Sequence, residues 1–505
     1  MYLIVNLGLK SIRVIVFDRN GSQVFSDSKP VHTFILNNYI EQDANEWLER
    51  LDELLIDLKE TTRLITAIEH VTVTTSSSCI LGVDRNFNPK TKVIMVSDKR
   101  SSEQVELIKK FDGTNKEFSP ISTSYTIPKV LWFKEHLSNF DEVKFWVGSG
   151  EFLNYFFTQK IFTDPLNASK SLYKEGSGYR KDLFGKLGLS VKSFPEVKPI
   201  GHTVDISEKI KKNYGFKKNC LFTLTTYDAV CSVLGSYNSL ENNACDVSGT
   251  VTSVRMLIDK NKIKNIKNKS PYLIVQKIDL IDKVIIGASN NMGGGIIEWL
   301  KQAFYDENDS DVYYRIENDA IKSGLGSNGI LFLPYLLGER APFNSTNIRA
   351  EFIGINRSSR HYDFTRAAFE ATAFVTNDLL LLIKDLNPKS LSVSGGLARF
   401  DLINQIKADV TGLPVYVLGN FESTSLGALI LCILANDKSL TYQEIAKDIV
   451  QIRKVIYPNR KNQDIYKQYF EYFTEHRNLV KDSYNEHEKV YKMIDSFRKK
   501  NIRNL

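Results

Sequence analysis

Residues 2–17 place two apolar runs on either side of a short loop that carries a glycine: Tyr2 to Val5, then Asn6-Leu7-Gly8-Leu9-Lys10, then Ser11 to Phe17. Two such runs joined this closely pair as a β-hairpin, and the Asn20-Gly21 pair beyond them favours a tight turn into a third strand. The chain therefore begins as an antiparallel sheet. Helical periodicity follows at Ala44 to Thr61, Glu103 to Phe111 and Pro128 to Leu137, with an apolar strand at His70 to Thr74 between the first two. Strands alternating with helices predict an α/β fold.

A second opening of the same kind stands near Cys245. There Asp246-Val247-Ser248-Gly249-Thr250 leads into the alternating segment Val251 to Ile258. The likeness to Asn6 to Ser11 is short and gapped, and by itself it fits duplication and coincidence equally. It gains weight from its position, because each copy opens one half of the chain. At 505 residues the chain is too long for one ordinary domain, and two large units are the simplest reading. Further on come a glycine-rich turn at Met292 to Gly295, a helix at Phe364 to Leu386, a strand ending in Gly395-Gly396 and a helix at Leu402 to Thr411. From Tyr457 the chain is strongly charged with spaced aromatics, which predicts a helical extension whose aromatic stripe serves packing.

Composition narrows the function classes. Apolar residues at 42% and charged residues at 25% suit a globular chain and exclude wholesale disorder. The net charge of +7 comes without a basic patch interleaved with aromatics, so nucleic acid is not expected as a partner. No uncharged apolar run reaches the roughly 18 residues a membrane helix needs. The N-terminal apolar stretch contains Lys10 and Arg13 and lacks a small-residue cleavage site, so it reads as strands and not as a leader. Five cysteines without a CxxC pair point to reduced thiols and a cytoplasmic protein. The histidines are scattered, which gives no support for a zinc site.

Transfer of a phosphoryl group from ATP needs backbone amides around the phosphates, a carboxylate near the metal and a base near the attacking hydroxyl. Glycine turns between strands supply the first, and Gly8 and Gly249-Thr250 are the candidates. Either alone is weak, because most hairpin glycines serve only their turn.

Longer motifs decide the matter. The stretch from Ser124 to His136, with Lys129, Trp132 and Glu135, is similar to the first signature of the FGGY carbohydrate kinases. Ala350-Glu-Phe-Ile-Gly354-Ile, followed by Asp363 to Glu370, is similar to the second. Supporting matches are Glu41-Gln42-Asp43 with Trp47, Thr163-Asp164, Gly338 to Pro342, and Ser394-Gly395-Gly396 followed by Gln405 and Ala408-Asp409. The resemblance runs from residue 1 to about residue 455.

It implies two RNase H-like halves of the actin and hexokinase type, with sugar and ATP meeting in a cleft between them. Residues 1–240 would carry the sugar and the base, residues 241–455 the nucleotide, and 456–505 the helical extension. It also implies ATP and Mg²⁺ as cofactors, a small sugar or polyol as substrate, and a homodimer as one assembly found in the family. Asp228, in Leu224-Thr-Thr-Tyr-Asp-Ala229, matches the family's catalytic base; read locally, the same residue is a helix N-cap. Ser78 and Asp98 match sugar-contact positions. For the nucleotide the match points to Gly8, Lys10, Ser11 and Arg13 on the first turn, and to Gly249, Thr250, Gly294, Gly395, Gly396 and Phe400.

The sequence departs from the family at the first turn. The usual Asp-x-Gly-Thr-x-Ser-x-Arg reads Asn6-Leu7-Gly8-Leu9-Lys10-Ser11-Ile12-Arg13, so an amide replaces the acid near the metal and leucine replaces a threonine. Asn6, assisted by Asp246 ahead of the second turn, is the expected metal-side pair, and Lys10 is a second source of compensation. Phe400 replaces a small polar residue and is expected to stack on the base. At the sugar, Thr75-Ser-Ser-Ser-Cys79 resembles the ribulose-kinase-like subgroup and points to a ketopentose such as ribulose or xylulose. The alternative is a weakened kinase-fold protein that binds ligands or partners.

Overall fold

The computed structural model describes residues 1–36, 39–112, 121–237, 240–266, 270–306, 308–419 and 422–502. The chain divides into two compact units. One comprises Met1–Gly235, Gln276–Lys283 and Glu422–Val450; the other comprises Ser236–Val275, Val284–Phe421 and Gln451–Leu505. A linear division of the sequence takes no account of the two returning segments, each of which joins the first unit.

The first unit is built on a six-stranded sheet. Across it run Thr203–Asp205, Leu221–Thr223, His70–Thr75, Tyr2–Leu7, Ser11–Phe17 and Gln23–Pro30. The opening three strands are antiparallel, as the Gly8 and Asn20-Gly21 turns require, and Tyr2–Leu7 pairs in parallel with His70–Thr75. The helix Ala44–Thr62 leads from the antiparallel strands back to His70–Thr75, with Asp43 capping its N-terminus and Arg63 closing it in the left-handed conformation. Its buried face, Trp47, Leu51, Leu54, Leu55 and Leu58, packs with the inward residues of the sheet. The chain returns late to complete this unit. Helix Ser423–Asn436 is apolar on nearly every side and packs on helix Asp228–Leu234 at backbone distance. A Cβ on Gly427 would fall 1.8 Å from the carbonyl oxygen of Cys231, and one on Gly235 would fall 1.9 Å from that of Ser423. Only glycine allows this approach.

The second unit repeats the plan. Its sheet includes, in spatial order, Lys283–Ser289, Thr252–Asp259, Asn243–Ser248, Ser390–Ser394 and Val415–Leu418. Numbered by chain order among these strands, and with the edge strand Thr203–Asp205 of the first sheet set aside, both units read 3-2-1-4-5. The first two strands form an antiparallel hairpin, and the first and fourth run parallel. The gapped likeness between residues 6–11 and 246–251 thus corresponds to the same turn in two copies of one fold.

The charged C-terminal segment belongs to this second unit's core. Helix Arg460–Val480 buries Tyr466 and Phe473 among residues that include Phe369 and Phe374. The Tyr466 hydroxyl lies 2.9 Å from Glu370 and 2.8 Å from Arg366 within the second signature's helix, His361–Leu381. The aromatic stripe is therefore packing. Among the described residues no helix is long and apolar enough to cross a membrane.

Candidate active site

The carboxyl ends of the parallel strands in the first sheet gather the polar residues that the core excludes, the usual place for a ligand in such sheets. Strand His70–Thr75 runs out into Ser76, whose hydroxyl donates to Asp228 Oδ2 at 3.0 Å. Asp228 is the first residue of helix Asp228–Leu234, with Tyr227 at the cap, and its Oδ1 accepts from the Ala229 amide at 2.6 Å. The N-cap reading is thus displaced by one position. A carboxylate in the first turn is favoured by the helix dipole.

A ladder of threonines fixes the segment before it. Thr72 and Thr225 hydroxyls meet at 2.8 Å, Thr74 donates to the Thr226 carbonyl at 3.0 Å, and Thr226 donates to Asp164 Oδ1 at 2.9 Å. The run Thr225-Thr226 therefore holds Asp228 against the strand end. Ser76, a residue that no motif singled out, donates to its carboxylate.

Beside this strand lies the first glycine turn. Register pairs Asn6 with Thr74 and Leu7 with Thr75. Gly8 closes the turn by donating to the Ser11 carbonyl at 2.9 Å. The turn is fastened from below by Gln42, whose amide donates to the Leu9 carbonyl at 2.7 Å and whose oxygen accepts from the Trp47 indole at 2.9 Å. Thr33 donates to the same carbonyl at 2.9 Å. That geometry gives the Glu41-Gln42-Asp43…Trp47 motif its physical purpose. Leu9 and Lys10 are exposed, and Ser11 is half-buried. Asn6 donates from Nδ2 to Ser425 Oγ at 3.4 Å. Arg13 is engaged with Glu422, which draws its guanidinium to the start of helix Ser423–Asn436.

In the second unit the nucleotide candidates converge. The amide of Gly294 donates to the Gly249 carbonyl at 2.7 Å, and that of Gly293 to the Thr250 carbonyl at 2.9 Å. Any side chain on Gly294 would come within 2.8 Å of the Gly249 carbonyl oxygen. Gly395 has φ +83°, and a Cβ there would sit 2.5 Å from the Ser248 carbonyl oxygen. By contrast, Gly249 and Gly396 have open space where a Cβ would go, which leaves bare backbone for a ligand. Glu339 ties the segment ahead of Gly293 to the 338–342 motif by accepting from the Asn291 amide at 3.0 Å and the Arg340 amide at 2.7 Å. Its burial pushes the carboxyl up to about 7.

Three expected roles meet a different environment, and a fourth, at Ser78, keeps its crevice. Asp246 is fully buried and bonded to Lys407, Thr376 and Ser248, so it has no place beside a metal ion; the strand that carries it points it into the core. Phe400 is 7% exposed and packs edge-on to Phe369, so it fills the core and does not stack on a base. Asp98 is fully buried, its oxygens taken by the Ile40 amide and the Arg100 guanidinium. It orients Arg100, which lies over the rings of Tyr39 and Trp132 at 4.0 and 4.8 Å. Ser78 adopts a left-handed φ of 63° and is buried, lining a crevice shared with Ser76, Thr126 and Asn167. The Ser78 carbonyl accepts from Lys129 of the first signature at 2.7 Å, and burial brings that amine down to about 8.

Two sheets that share a five-strand core of order 3-2-1-4-5, each with a glycine turn between its first strands, define an α/β chain of the RNase H-like kinase class. Residues 1–235 match the N-terminal domain, and residues 248–436 the C-terminal domain, of the FGGY family of carbohydrate kinases. The chain belongs to that family, and it is an ATP-dependent carbohydrate kinase. It is 26% identical over 476 residues to a xylulose kinase of Staphylococcus epidermidis, covering 92% of this chain and 94% of that one. It is 24% identical over 472 residues to a gluconokinase of Bacillus subtilis, covering 88% and 89%. In fold it is similar to the xylulose kinase of Lactobacillus acidophilus, with a TM-score of 0.82 at 22% identity over 96% of this chain and 100% of that one.

Proposed function

We propose that this kinase phosphorylates an uncharged ketopentose, with Asp228 as the base that takes the proton from the attacking hydroxyl. The observation that carries the reading is the fixed carboxylate: Asp228 is held by Ser76 and its own helix amide at the end of a parallel strand. A carboxylate in that setting accepts a proton as the bond to phosphorus forms. The sugar would lie along Ser76 to Ser78, where hydroxyls exchange hydrogen bonds with a polyol and impose no charge. The xylulose kinases among its relatives favour the same substrate class.

The turn at Gly249-Thr250 would hold the nucleotide phosphates, with Gly294 and Gly395 shaping it and Gly396 open toward the nucleoside. Mg²⁺ would arrive with the nucleotide. Asn6 uses its amide nitrogen toward Ser425, which leaves the amide oxygen as an acceptor for metal-bound water. The ion would supply neutralisation of phosphate charge. The five cysteines are buried thiols, in keeping with a cytoplasmic setting.

The test is a panel of xylulose, ribulose, gluconate and glycerol with ATP and Mg²⁺. Turnover of a ketopentose is expected to exceed that of the other two, and Asp228→Asn is expected to lower kcat by about 10²–10⁴-fold with unchanged thermal melting. A panel in which no sugar is turned over faster than by Asp228→Asn would end the proposal. Faster turnover of gluconate would replace the substrate and leave the base.

A further inference from the structure

We propose that the buried ion pair Asp246–Lys407 is a positioning device for the phosphate turn at Gly249-Thr250, and that Lys407 thereby sets the affinity for ATP. The inference rests on the reading of that turn as the nucleotide's phosphate site.

Lys407 lies on helix Asp401–Thr411 and is 1% exposed, and its Nζ is 2.5 Å from Oδ2 of the fully buried Asp246. Thr376, from helix His361–Leu381, donates to the same oxygen at 2.9 Å. The other carboxylate oxygen, Oδ1, accepts from Ser248 at 2.5 Å. Ser248 is the last residue of strand Asn243–Ser248, and Thr252 is the first of strand Thr252–Asp259. Their hydroxyls meet at 3.1 Å, and Lys407 reaches Ser248 Oγ at 3.3 Å. Both feet of the turn are thus tied to one buried charge pair, which in turn is tied to two helices.

A buried ion pair is a poor source of stability, because the desolvation of two charges cancels most of their attraction; an apolar pair of similar volume folds as well or better. What the pair supplies is direction. A carboxylate with three donors on two oxygens has one arrangement, and an apolar replacement has several. The arrangement matters at Ser248, whose carbonyl oxygen lies close under Gly395 with no room for a Cβ between them. A strand end that moved by a fraction of an ångström would shift the amides of Gly249 and Thr250 relative to Gly395. Displacements of this size are enough to degrade a phosphate site.

The test uses the full-length protein and separates stability from nucleotide affinity. Lys407→Met alone is expected to lower the melting temperature, because Asp246 stays buried without its partner. The apolar pair Asp246→Val with Lys407→Met is expected to recover the melting temperature and yet to raise KM for ATP on the order of ten-fold, with KM for the sugar unchanged. Ser248→Ala provides a second arm that leaves the charges paired and cuts only their link to the turn. It is expected to raise KM for ATP several-fold with a modest loss of melting temperature, because Asp246 Oδ1 loses one donor while its ion pair with Lys407 stays in place. Wild-type KM for ATP in Ser248→Ala, or in an apolar pair that melts normally, would overturn the positioning role. Gly249→Val is the control on the underlying reading. If it leaves KM for ATP unchanged, the turn is not the phosphate site, and that failure is distinct from a failure of the pair.

Discussion

The turns at Gly8 and Gly249 stand at the same place in two sheets that share a five-strand core, and they are held to different degrees by backbone. The first is held from one side by hydrogen bonds to the Leu9 carbonyl from Gln42 and Thr33, with Leu9 and Lys10 exposed above it. A Cβ on Gly8 would meet nothing nearer than the Ser11 carbonyl oxygen at 3.7 Å. The second is gripped by backbone: Gly293 and Gly294 bond to its carbonyls, and Gly395 lies against the residue before it. A turn held by side chains tolerates change in its own residues, and this is the turn where Asn6 and Leu9 depart from the family pattern. A turn held by backbone tolerates little, and there Gly249-Thr250 keeps that pattern.

The contrast can be broken most sharply at Gly395. With φ at +83° and a Cβ that would stand 2.5 Å from a carbonyl oxygen, Gly395→Ala is expected to lower kcat/KM for ATP by about 10²-fold or more, measured by steady-state kinetics. The next effect concerns Glu339, which accepts from the Asn291 amide just ahead of the glycines that bond to the second turn. Burial raises its carboxyl to about 7 from a reference of 4.5, so the folded chain keeps a proton that the unfolded chain has lost between those values. The stability linked to that proton is complete below about pH 4.5 and is lost as pH rises through about 7. Denaturant melts should show a loss of about 2 kcal/mol from pH 5 to pH 8 that Glu339→Gln abolishes.

Smaller effects belong to the first turn. Restoring Asn6→Asp together with Leu9→Thr is expected to raise kcat by about ten-fold and to lower the Mg²⁺ needed for half-maximal rate, read from a Mg²⁺ titration. A fall in rate would mean that the turn is tuned to its amide. Gly8→Ala is expected to change KM for ATP by about two-fold or less, because the position has room and an ordinary φ. Equal losses from Gly8→Ala and Gly395→Ala would erase the distinction between the two turns.

The family signatures and the alternation of strands and helices were legible because they are local. Strand Tyr2–Leu7, its glycine turn and helix Ala44–Thr62 follow from runs of residues whose periodicity and caps lie within a few positions of one another. Asp228 was legible through its motif. Its partner Ser76 was not, since 152 positions separate the two and only the pairing of strands brings them together. The misplaced expectations share one cause. Asp246, Asp98 and Phe400 have the right chemistry for a metal, a sugar and a base, and nothing adjacent in the sequence tells which face of a strand or loop each one takes. The structure turns all three inward, onto Lys407, Arg100 and Phe369.

The same holds for the late return of residues 422–450 to the first unit. Helix Ser423–Asn436 announces itself as a buried helix by its apolar run, but a hydrophobic face does not name its partner. What decides it is a pair of glycines, Gly235 and Gly427, whose missing side chains let two backbones approach closely enough to hold the helix that carries Asp228. Local pattern determined the elements and singled out Asp228, and it hinted at the duplicated plan. Tertiary packing decided which of the polar residues stand at the strand ends and which are spent on internal hydrogen bonds and ion pairs, because burial is set by neighbours far away in the chain.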